Sequence, residues 1–384
     1  MPQRLYIDVH VIQTVPPANL NRDDQGNPKE AIYGGVRRSR VSSQAWKRAT
    51  RRHFDDQVPT PDRATRTKRI THELATRIAR TSGLDRDGAD RIATALLAQL
   101  GLSQGKKAGD TAYLLFYGNA QLDAAAALVA DKATELAALD DKALGEAVKE
   151  LPVADTFHSG HPVAVALFGR MVADIPKLNV DAAVQVAHAL STHETQLEFD
   201  YFTAVDDQNE KDETGAGMIG TIGFNSATLY RYATVGLAQL IDNLGGDSEA
   251  ALDALDRFVD SFALSAPTGY QNAFAHRTRP SLVAVVVRTD QPVNLVSAYE
   301  QPIASEAGIQ ANSARRLAEE HLTATQIWGD QPLYAATSHT FTSREPATKD
   351  TAEALTHAFG SPVAFAELRS TLRTRLTASL GAGA

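Results

Sequence analysis

The stretch on which the fold is built lies at residues 4–14, which read RLYIDVHVIQT. Leu5, Ile7 and Val9 fall on one side of an extended chain, and the residues between them, mostly more polar, fall on the other. Side chains of a β-strand point alternately to its two faces, so this alternation is typical of a strand with one buried face. We therefore predict a β-strand here, with its apolar side against the core.

Working outward from this strand, a turn-rich loop separates it from a predicted helix. The loop runs from Pro16 to Pro28 and is rich in asparagine, aspartate and glycine, which are common turn residues. Irregular segments of this length inside a compact domain often carry function. The segment SSQAWKRATRR at residues 42–52 predicts a helix, because a serine at its start can cap the first free N–H groups.

The segment between Gly34 and His53 is strongly basic. It contains no aspartate or glutamate, and its cations are Arg37, Arg38, Arg40, Lys47, Arg48, Arg51 and Arg52. Lys47 and Arg51 share a face of the predicted helix, and Arg48 and Arg52 form an adjacent pair. The free N–H groups at the helix start also favour a phosphate. This pattern indicates either a nucleic-acid contact, with salt-dependent affinity, or a solvated basic face.

Helices and strands mix irregularly in the rest of the chain. Residues 57–175 predict a helical insertion, and residues 181–192 predict a short helix. Strands at 198–206 and 218–232 predict an extended hairpin around a polar loop, and LVAVVV at 282–287 predicts a buried strand. The remaining predicted elements are helices at 233–244, 248–264, 305–321, 350–359 and 363–379 and a strand near 332–342. This mixture predicts the α+β class.

Composition narrows the class of protein. The chain has 384 residues and no cysteine, which excludes disulfides, thiolate metal sites and cysteine nucleophiles. Its 38 Lys+Arg against 46 Asp+Glu give a net charge of −8, so the basic segment is a local feature. No apolar run reaches the about 20 residues that span a bilayer, and the amino terminus lacks the apolar core of a signal peptide. We expect a soluble, intracellular protein without a membrane partner.

The basic segment belongs to a longer block that closely resembles one family. The block comprises LNRDD at 20–24, Lys29, and AIYGGVRRSRVSSQAWKRA at 31–49. It resembles the CasC family, the backbone subunit of the type I-E CRISPR surveillance complex (Cascade). Further matches follow in the same order: GRM at 169–171, HALSTH at 188–193, FTAVDD at 202–207, YRYA at 230–233, LAQL at 237–240 and NLGG at 243–246.

The resemblance implies a fold and a role. Members of the family are not enzymes and need no cofactor, and several copies polymerise head-to-tail along a CRISPR RNA beside other Cascade subunits in the cytoplasm. Their shape is that of a hand, with an RRM-like (ferredoxin-like) palm, helical fingers inserted into it and a β-hairpin thumb. Carried over, this gives a palm at 1–56, 181–194 and 229–384, fingers at 57–180 and a thumb at 195–228.

The resemblance also implies two sets of site residues. Contacts to the RNA backbone are expected at Arg22, Lys29, Ser42, Gln44, Lys47 and Arg51, which are side chains that can reach phosphate or sugar oxygens. Such contacts leave the guide bases free to pair with target DNA. Residues that displace a base of the guide–target duplex are expected at Met171, Tyr201, Phe202, Thr203 and Val205. Ordinary hairpin packing is the alternative for Tyr201 and Phe202, and core filling is the alternative for Met171.

The sequence lacks one feature that is common in RNA-binding RRM sheets. Such sheets carry paired aromatic residues on which bases stack, and the sequence contains no such pattern. The first strand offers only Tyr6. We therefore expect that an RRM-like palm in this chain does not bind RNA by stacking bases on its sheet.

Three enzyme or metal functions compete with guide binding. Asp23 and Asp24 could hold Mg²⁺ for a ribonuclease, or could serve the turn, with Asp23 capping it and Asp24 pairing with an arginine. His188 and His193 are five residues apart, so they do not share a helical face, and no His-Glu-x-x-His motif supports zinc. The sequence also lacks the phosphate-loop and nucleophile motifs of common small-molecule enzymes.

Overall fold

The computed structural model describes residues 4–102, 105–107, 109–172, 175–204, 218–304 and 308–382. The chain forms two compact units. Unit one comprises residues 1–53, 186–234 and 256–384, and unit two comprises residues 54–185 and 235–255. Strands and helices alternate irregularly along both units, which confirms the α+β class. The boundaries of palm, fingers and thumb stay predictions.

The elements are numbered in chain order. The strands are β1 (Tyr6–Ala18), β2 (Glu30–Tyr33), β3 (Val36–Val41), β4 (Ala64–Thr67), β5 (Leu115–Gly118), β6 (Val184–Val186), β7 (Ala189–Ser191), β8 (Glu198–Ala204), β9 (Met218–Gly236), β10 (Leu282–Arg288) and β11 (Tyr334–His339). The α-helices are α1 (Ser43–Asp55), α2 (Ile70–Ser82), α3 (Arg86–Ala98), α4 (Asn119–Ala127), α5 (Ala133–Ala137), α6 (Asp141–Val148), α7 (Val153–His158), α8 (Val163–Phe168), α9 (Leu237–Asn243), α10 (Ser248–Leu264), α11 (Gln271–Phe274), α12 (Ile309–Trp328), α13 (Pro346–Phe359) and α14 (Phe365–Ala382). Within the described ranges, no helix combines the length and the apolar character needed to cross a membrane.

A nine-stranded sheet accounts for most of the strands in the described part of the chain. Its order is β11-β10-β1-β9-β7-β3-β2, and β6 and β8 also pair with β9. β1 and β10 are antiparallel, with Tyr6 opposite Arg288 and Ile12 opposite Leu282. All seven residues of β10 are buried, as the continuous apolar run at 282–287 predicts. β1 therefore lies in the interior of the sheet, not at its edge.

The prediction that one face of β1 is exposed to solvent is wrong, because both faces of this strand are buried. Asp8 and His10, which were expected to face water, are fully buried. Ile12 lies on the same face and packs in one apolar cluster with Leu317 of α12 and Leu355 of α13. These two helices cover the polar side of the strand, which a two-residue period in the sequence cannot reveal.

The buried polar side chains of β1 have hydrogen-bond partners that are far away in sequence. Asp8 accepts hydrogen bonds from the Arg288 guanidinium at 2.9 Å, the Tyr232 hydroxyl at 2.8 Å and the Val293 N–H at 3.0 Å. Burial raises the pKa of Asp8, whereas these three partners lower it. His10 Nδ1 lies 2.9 Å from the Tyr230 hydroxyl. A buried charge is tolerated only with such pairing, so these groups belong to the core.

The helix predicted at 181–192 is wrong. The segment instead contains the strands β6 and β7, and Leu190 of β7 pairs with Arg40 of β3 on one side and with Tyr230 of β9 on the other. The spacing of Val184, Ala187 and Leu190 resembles a helical period. Pairing on both edges supplies the backbone hydrogen bonds of this short segment, and such tertiary context overrides a weak local pattern.

Unit two is mainly helical, as the composition of residues 57–175 predicts. Its core is an apolar cluster drawn from α2 to α7, with fully buried residues such as Ile78, Ile92 and Phe157. Within residues 120–150 the helical structure is divided into α4, α5 and α6. Unit two also contains a two-stranded sheet, formed by β4 and β5, which the sequence analysis did not predict. Residues 235–255, assigned to the palm from the sequence, lie in this unit.

Candidate nucleic-acid interface

Helix α1 begins where the sequence predicts. The Ser42 hydroxyl accepts a hydrogen bond from the Ala45 N–H at 3.2 Å, and the Ser42 carbonyl accepts one from the Trp46 N–H at 3.2 Å. Ser42 is therefore the N-cap of α1, which confirms the predicted capping role. Its own N–H donates to Asn21 Oδ1 at 2.9 Å, so the loop before β2 is tied to the start of the helix.

One side of α1 is anchored in unit one by Trp46. This indole is 1% exposed, and the Arg231 guanidinium lies 3.7 Å from its ring centroid. Arg231 also donates to Gln13 Oε1 at 2.6 Å, and burial lowers its pKa to about 9. A desolvated cation on an aromatic face is a strong contact, so the helix is fixed to the sheet. Its opposite side is left for solvent or a ligand.

The basic residues on that opposite side of α1 differ in how far they are exposed to solvent. Arg48 and Arg52, one helical turn apart, are exposed, and Gln44 is exposed one turn earlier. Lys47 and Arg51 are partly buried. The sequence analysis noted both pairs, but it expected RNA contacts only at Lys47 and Arg51. Exposure decides which cations a ligand meets first, and it could not be derived from spacing alone.

A groove of about 570 Å³ opens beside this exposed arginine pair. It lies between α1, the loop at 20–26 and the segment 267–270, all within unit one. Its charged lining residues are Arg22, Asp23, Asp24, Arg48 and Arg52. Three arginines against two aspartates leave the groove net positive at neutral pH. A positive, open groove of this kind suits an extended polyanion.

The two aspartates of the groove differ in their roles. Asp23 Oδ1 accepts hydrogen bonds from the N–H groups of Gln25 and Asn27, both at 2.9 Å, which supports the turn-capping alternative. Asp24 is exposed and forms no ion pair with the described residues, so the predicted pairing with an arginine is not observed. The searched residues contain no group of three or more side chains able to hold a metal ion.

An aromatic chain connects this groove to strand β9. The Arg22 guanidinium lies 4.8 Å from the ring centroid of Tyr270, which meets Phe274 edge-on at 6.4 Å. Phe274 in turn contacts Phe224 at 5.8 Å. Sequence reasoning missed Tyr270, because it lies more than two hundred residues from Arg22 in the chain. The only local signal was the turn-like segment Pro267–Thr268–Gly269.

A second basic cluster lies on the β2–β3 edge. Lys29 is held by backbone hydrogen bonds to Asn21 at 2.8 Å and to Arg40 at 2.9 Å. An Arg40 N–H lies 3.1 Å from His188 Nδ1; because arginine only donates, that nitrogen accepts and Nε2 carries the proton. Burial and the charges of Arg40 and Lys29 lower the pKa of His188. Lys29 and Arg40 therefore supply the positive charge of this surface, and His188 lies beside them in its neutral form.

The histidines considered for zinc have other partners. His193 Nε2 accepts a hydrogen bond from the Thr228 N–H at 3.0 Å, and its Nδ1 lies 2.7 Å from the Glu194 carbonyl. Both ring nitrogens of this buried residue are therefore engaged with the backbone. Its role is to join β9 to the segment before β8, and it is not placed to ligate a metal with His188.

The hairpin predicted from the sequence is present as the β8–β9 ladder. Phe199 pairs with Gly223 and Tyr201 with Thr221, and these two aromatic side chains are 57% and 75% exposed. Phe202 points to the other face, where its ring covers Gly220 so closely that a Cβ there would lie within 2.2 Å of it. The predicted pair Tyr201 and Phe202 is therefore divided between two faces.

The exposed face of β8 includes one residue that sequence reasoning missed. Phe199 shares the face of Tyr201, as the two-residue period of a strand requires. Phe202 is 37% exposed, and its ring covers Gly220 of the partner strand, which supports the packing alternative. Thr203 belongs to β8, and Val205 lies outside the described residues.

The base of this hairpin is tied to the loop that lines the groove. The Asn19 side-chain amide donates to the Gly26 carbonyl and to the Gly223 carbonyl, both at 2.9 Å. Gly223 lies so close to Asn27 that a Cβ would approach its amide oxygen to 2.5 Å. The loop at 19–28, although irregular in sequence, is therefore held in place by β9.

Met171 is displayed at the surface of unit two. It is 83% exposed, which argues against the core-filling alternative. The preceding residue, Arg170, is buried and donates to the carbonyls of Phe157 at 2.7 Å and Leu178 at 2.5 Å. Burial lowers the pKa of Arg170 to about 10. Arg170 thus fixes the turn that presents Met171 beside an open cavity of about 620 Å³.

These features define an α+β protein with a basic groove, an adjacent anchored helix and an aromatic hairpin in the same unit, a class suited to binding an extended polyanion. The chain matches the profile of the CT1975-like protein family over residues 7–361 and belongs to that family. No curated protein matches it.

Two solved structures are similar over almost the whole chain. One is a chain of a CRISPR RNA-guided surveillance complex described as pre-nicking, with 34% identity and a TM-score of 0.82, covering 96% of this chain and 99% of that one. The other is a chain of a CRISPR RNA-guided surveillance complex, with 28% identity and a TM-score of 0.72 over the same shares. The resemblance to a subunit of such complexes is confirmed at this level.

Proposed function

We propose that this chain is the CRISPR RNA-binding backbone subunit of a type I-E Cascade surveillance complex, as its resemblance to CasC implies. The observation that carries the proposal is the exposed basic side of α1 beside a net-positive groove in a chain of net charge −8. The likeness to chains of CRISPR RNA-guided surveillance complexes supports it independently. In this role the protein acts in the cytoplasm, without catalysis and without a cofactor.

The RNA backbone is held by Arg22, Lys29, Ser42, Gln44, Lys47 and Arg51. Arginine can grip a phosphate with two parallel hydrogen bonds, and lysine acts as a point charge. The Ser42 hydroxyl accepts from the helix N–H, so its own proton can be donated to a phosphate oxygen. Contacts of this kind are independent of base identity, which suits a guide whose sequence varies.

The proposed hand assigns functions to the other exposed groups. Unit one supplies an RRM-like palm, unit two supplies the fingers, and the β8–β9 hairpin acts as the thumb. Tyr201, with Phe202, Thr203 and Val205 on the thumb and Met171 on the fingers, displaces a base where guide and target DNA pair, at an unstacking cost of about a few kcal/mol. Copies of the chain assemble head-to-tail along the guide, beside other Cascade subunits.

The proposal is tested by binding of labelled CRISPR RNA to the purified full chain across a salt series. Lys47→Ala/Arg51→Ala should weaken binding and make the log–log salt slope shallower by about 0.7 for each lost phosphate contact. The matched control is Arg344→Ala/Arg375→Ala, which removes the same charge from two exposed positions outside the basic segment. The control should keep the wild-type slope.

Two outcomes would contradict the proposal. An unchanged slope in Lys47→Ala/Arg51→Ala would show that these two residues do not contact the RNA backbone, and the proposed contact set would be wrong. Cleavage of the RNA in the presence of Mg²⁺, abolished by Asp24→Asn, would instead favour the ribonuclease alternative. The RNA is therefore checked for length on a denaturing gel after each titration.

A further inference from the structure

We propose that the groove beside α1 is a nucleotide subsite in which Tyr270 stacks a base and Arg48 and Arg52 hold the neighbouring phosphate. The inference rests on the proposed RNA-binding function and adds a base platform to a site described so far only by its backbone contacts. It is carried by three features of the groove: a strained aromatic residue, its pairing with Arg22, and the exposed arginine pair.

The backbone of Tyr270 is held in an unfavourable conformation. Its φ is +47°, in the left-handed region that side chains other than glycine rarely adopt. The preceding Gly269 packs so closely on the loop at 19–20 that a Cβ would lie 2.3 Å from the Asn19 carbonyl oxygen. A large side chain kept in such a conformation costs about 1–2 kcal/mol, and strain of this kind clusters at binding sites.

The Tyr270 side chain, which this backbone conformation positions, lines the groove. It is partly buried, with Phe274 against its edge and the Arg22 guanidinium 4.8 Å from its centroid. Nucleobases of single-stranded RNA stack on tyrosine rings and on arginine planes alike. Arg22 and Tyr270 therefore form one stacked planar pair, and a base that enters the groove can stack on the surface of this pair that lines it.

The phosphate ligands stand on the helix side of the same groove. Arg48 and Arg52 are exposed one turn apart, so both guanidinium groups can reach one phosphate or two consecutive phosphates. Asp23 and Asp24 occupy the loop side, where their charge repels a phosphate and so keeps the backbone toward α1. The two aspartates thus favour this phosphate at α1, while Arg22 on the loop side lies against the Tyr270 ring.

Stacking in this groove is compatible with a guide of variable sequence. Every base has a π-face, so stacking tolerates any sequence, whereas hydrogen bonds to base edges do not. The sheet face of β1 cannot serve instead, because Asp8, His10 and Ile12 are buried beneath α12 and α13. The groove supplies, at a loop, the aromatic platform that the sequence of the sheet lacks.

The experiment compares base-containing RNA with RNA that has no bases. A short fluorescein-labelled oligouridylate and an abasic ribose-phosphate oligomer of equal length are titrated with wild type, Tyr270→Leu and Tyr270→Phe. Tyr270→Leu should weaken oligouridylate binding about tenfold and leave abasic binding unchanged, since stacking is lost only where a base exists. Tyr270→Phe should restore nearly wild-type affinity because the ring is kept.

The phosphate side is tested with the same two oligomers. Arg48→Ala/Arg52→Ala should weaken binding of both, with a salt slope shallower by about 0.7 for each lost contact. Arg344→Ala/Arg375→Ala is the charge-matched control and should behave as wild type. Circular dichroism and the melting temperature establish that each variant is folded before its affinity is interpreted.

The failures of the two proposals are distinguishable. If wild type binds neither oligomer nor CRISPR RNA, the proposed function itself is wrong. If RNA binding responds to Lys47→Ala/Arg51→Ala but not to the groove variants, only the subsite is wrong. An equal loss for Tyr270→Leu on both oligomers would make Tyr270 a support for the loop and overturn its role as a base platform.

Discussion

Arg38 of β3 and Arg48 of α1 stand ten residues apart in the same basic segment, yet the fold uses them in opposite ways. Arg38 is fully buried and donates to the carbonyls of Tyr33, Ser191, Tyr299 and Glu300 at 2.8–3.4 Å. Arg48 is exposed and lines the groove. The comparison teaches that a run of cations in sequence contains both structural and ligand-binding members, and only burial separates them.

The same division extends along the chain. Arg231 and Arg288 are also buried, one on the Trp46 ring and one against Asp8, while Arg22 and Arg52 line the groove. A buried guanidinium keeps its charge only where acceptors, an opposite charge or an aromatic ring replace most of its contacts with water. An exposed one retains its donors for a phosphate. Substitutions should therefore affect stability in one group and RNA binding in the other.

The largest effect is expected for Arg38→Ala. It would leave the carbonyls that Arg38 binds without their donor inside unit one, and we expect a loss of about 3 kcal/mol or more in the free energy of unfolding. Urea denaturation followed by circular dichroism measures it. Arg48→Ala is the matched control and should change stability by less than about 0.5 kcal/mol. An equal loss in the free energy of unfolding for both variants would show that burial does not distinguish the two arginines.

A smaller effect is expected from the buried histidine of α12. Burial, with a contribution from the charge of Arg288, lowers the pKa of His321 to about 4 from its ordinary 6.5. The unfolded chain therefore takes up this proton first as the pH falls, so stability should decrease below about pH 6.5 and level off below about pH 4. His321 alone should account for about 2 kcal/mol between pH 7 and pH 5.

Urea titrations at pH 7 and pH 5 measure this dependence. His321→Gln should show a smaller decrease than wild type, whereas His357→Gln, at an exposed histidine of α13, should keep the wild-type decrease. His10, whose pKa burial also lowers, remains in both variants and shifts stability in the same direction. An identical pH dependence in all three proteins would show that His321 is not held neutral by the fold.

The smallest effect is expected in the β8–β9 hairpin. There Phe202 packs against the partner strand, whereas its neighbour Tyr201 is exposed. Phe202→Ala removes the ring that covers Gly220 and should destabilise the β8–β9 ladder by about 0.5–1 kcal/mol. Tyr201→Ala, at a side chain that is 75% exposed, should leave the ladder within about 0.5 kcal/mol of wild type. Hydrogen exchange of the β8 and β9 amides measures local opening, and faster exchange in Tyr201→Ala would reverse the assignment.

Several elements could be predicted because their signals are local. The cap at Ser42, the hairpin strands and the apolar run of β10 depend on residues that are close in sequence. The segment at 181–192 could not be predicted, because pairing with β3 and β9 outweighed its own pattern. Within the candidate site, the loop and helix followed from the sequence, but the approach of Tyr270 to Arg22 did not.

The sequence by itself determined the α+β class, the basic segment and the resemblance to the CasC family, because each depends on residue type and order. Only the tertiary structure decided which charges are used in the core. Asp8 and His10 are buried because α12 and α13 cover them, and Arg48 and Arg52 are exposed because Trp46 anchors the opposite side of α1. Burial is set by contacts between distant segments, which no local pattern contains.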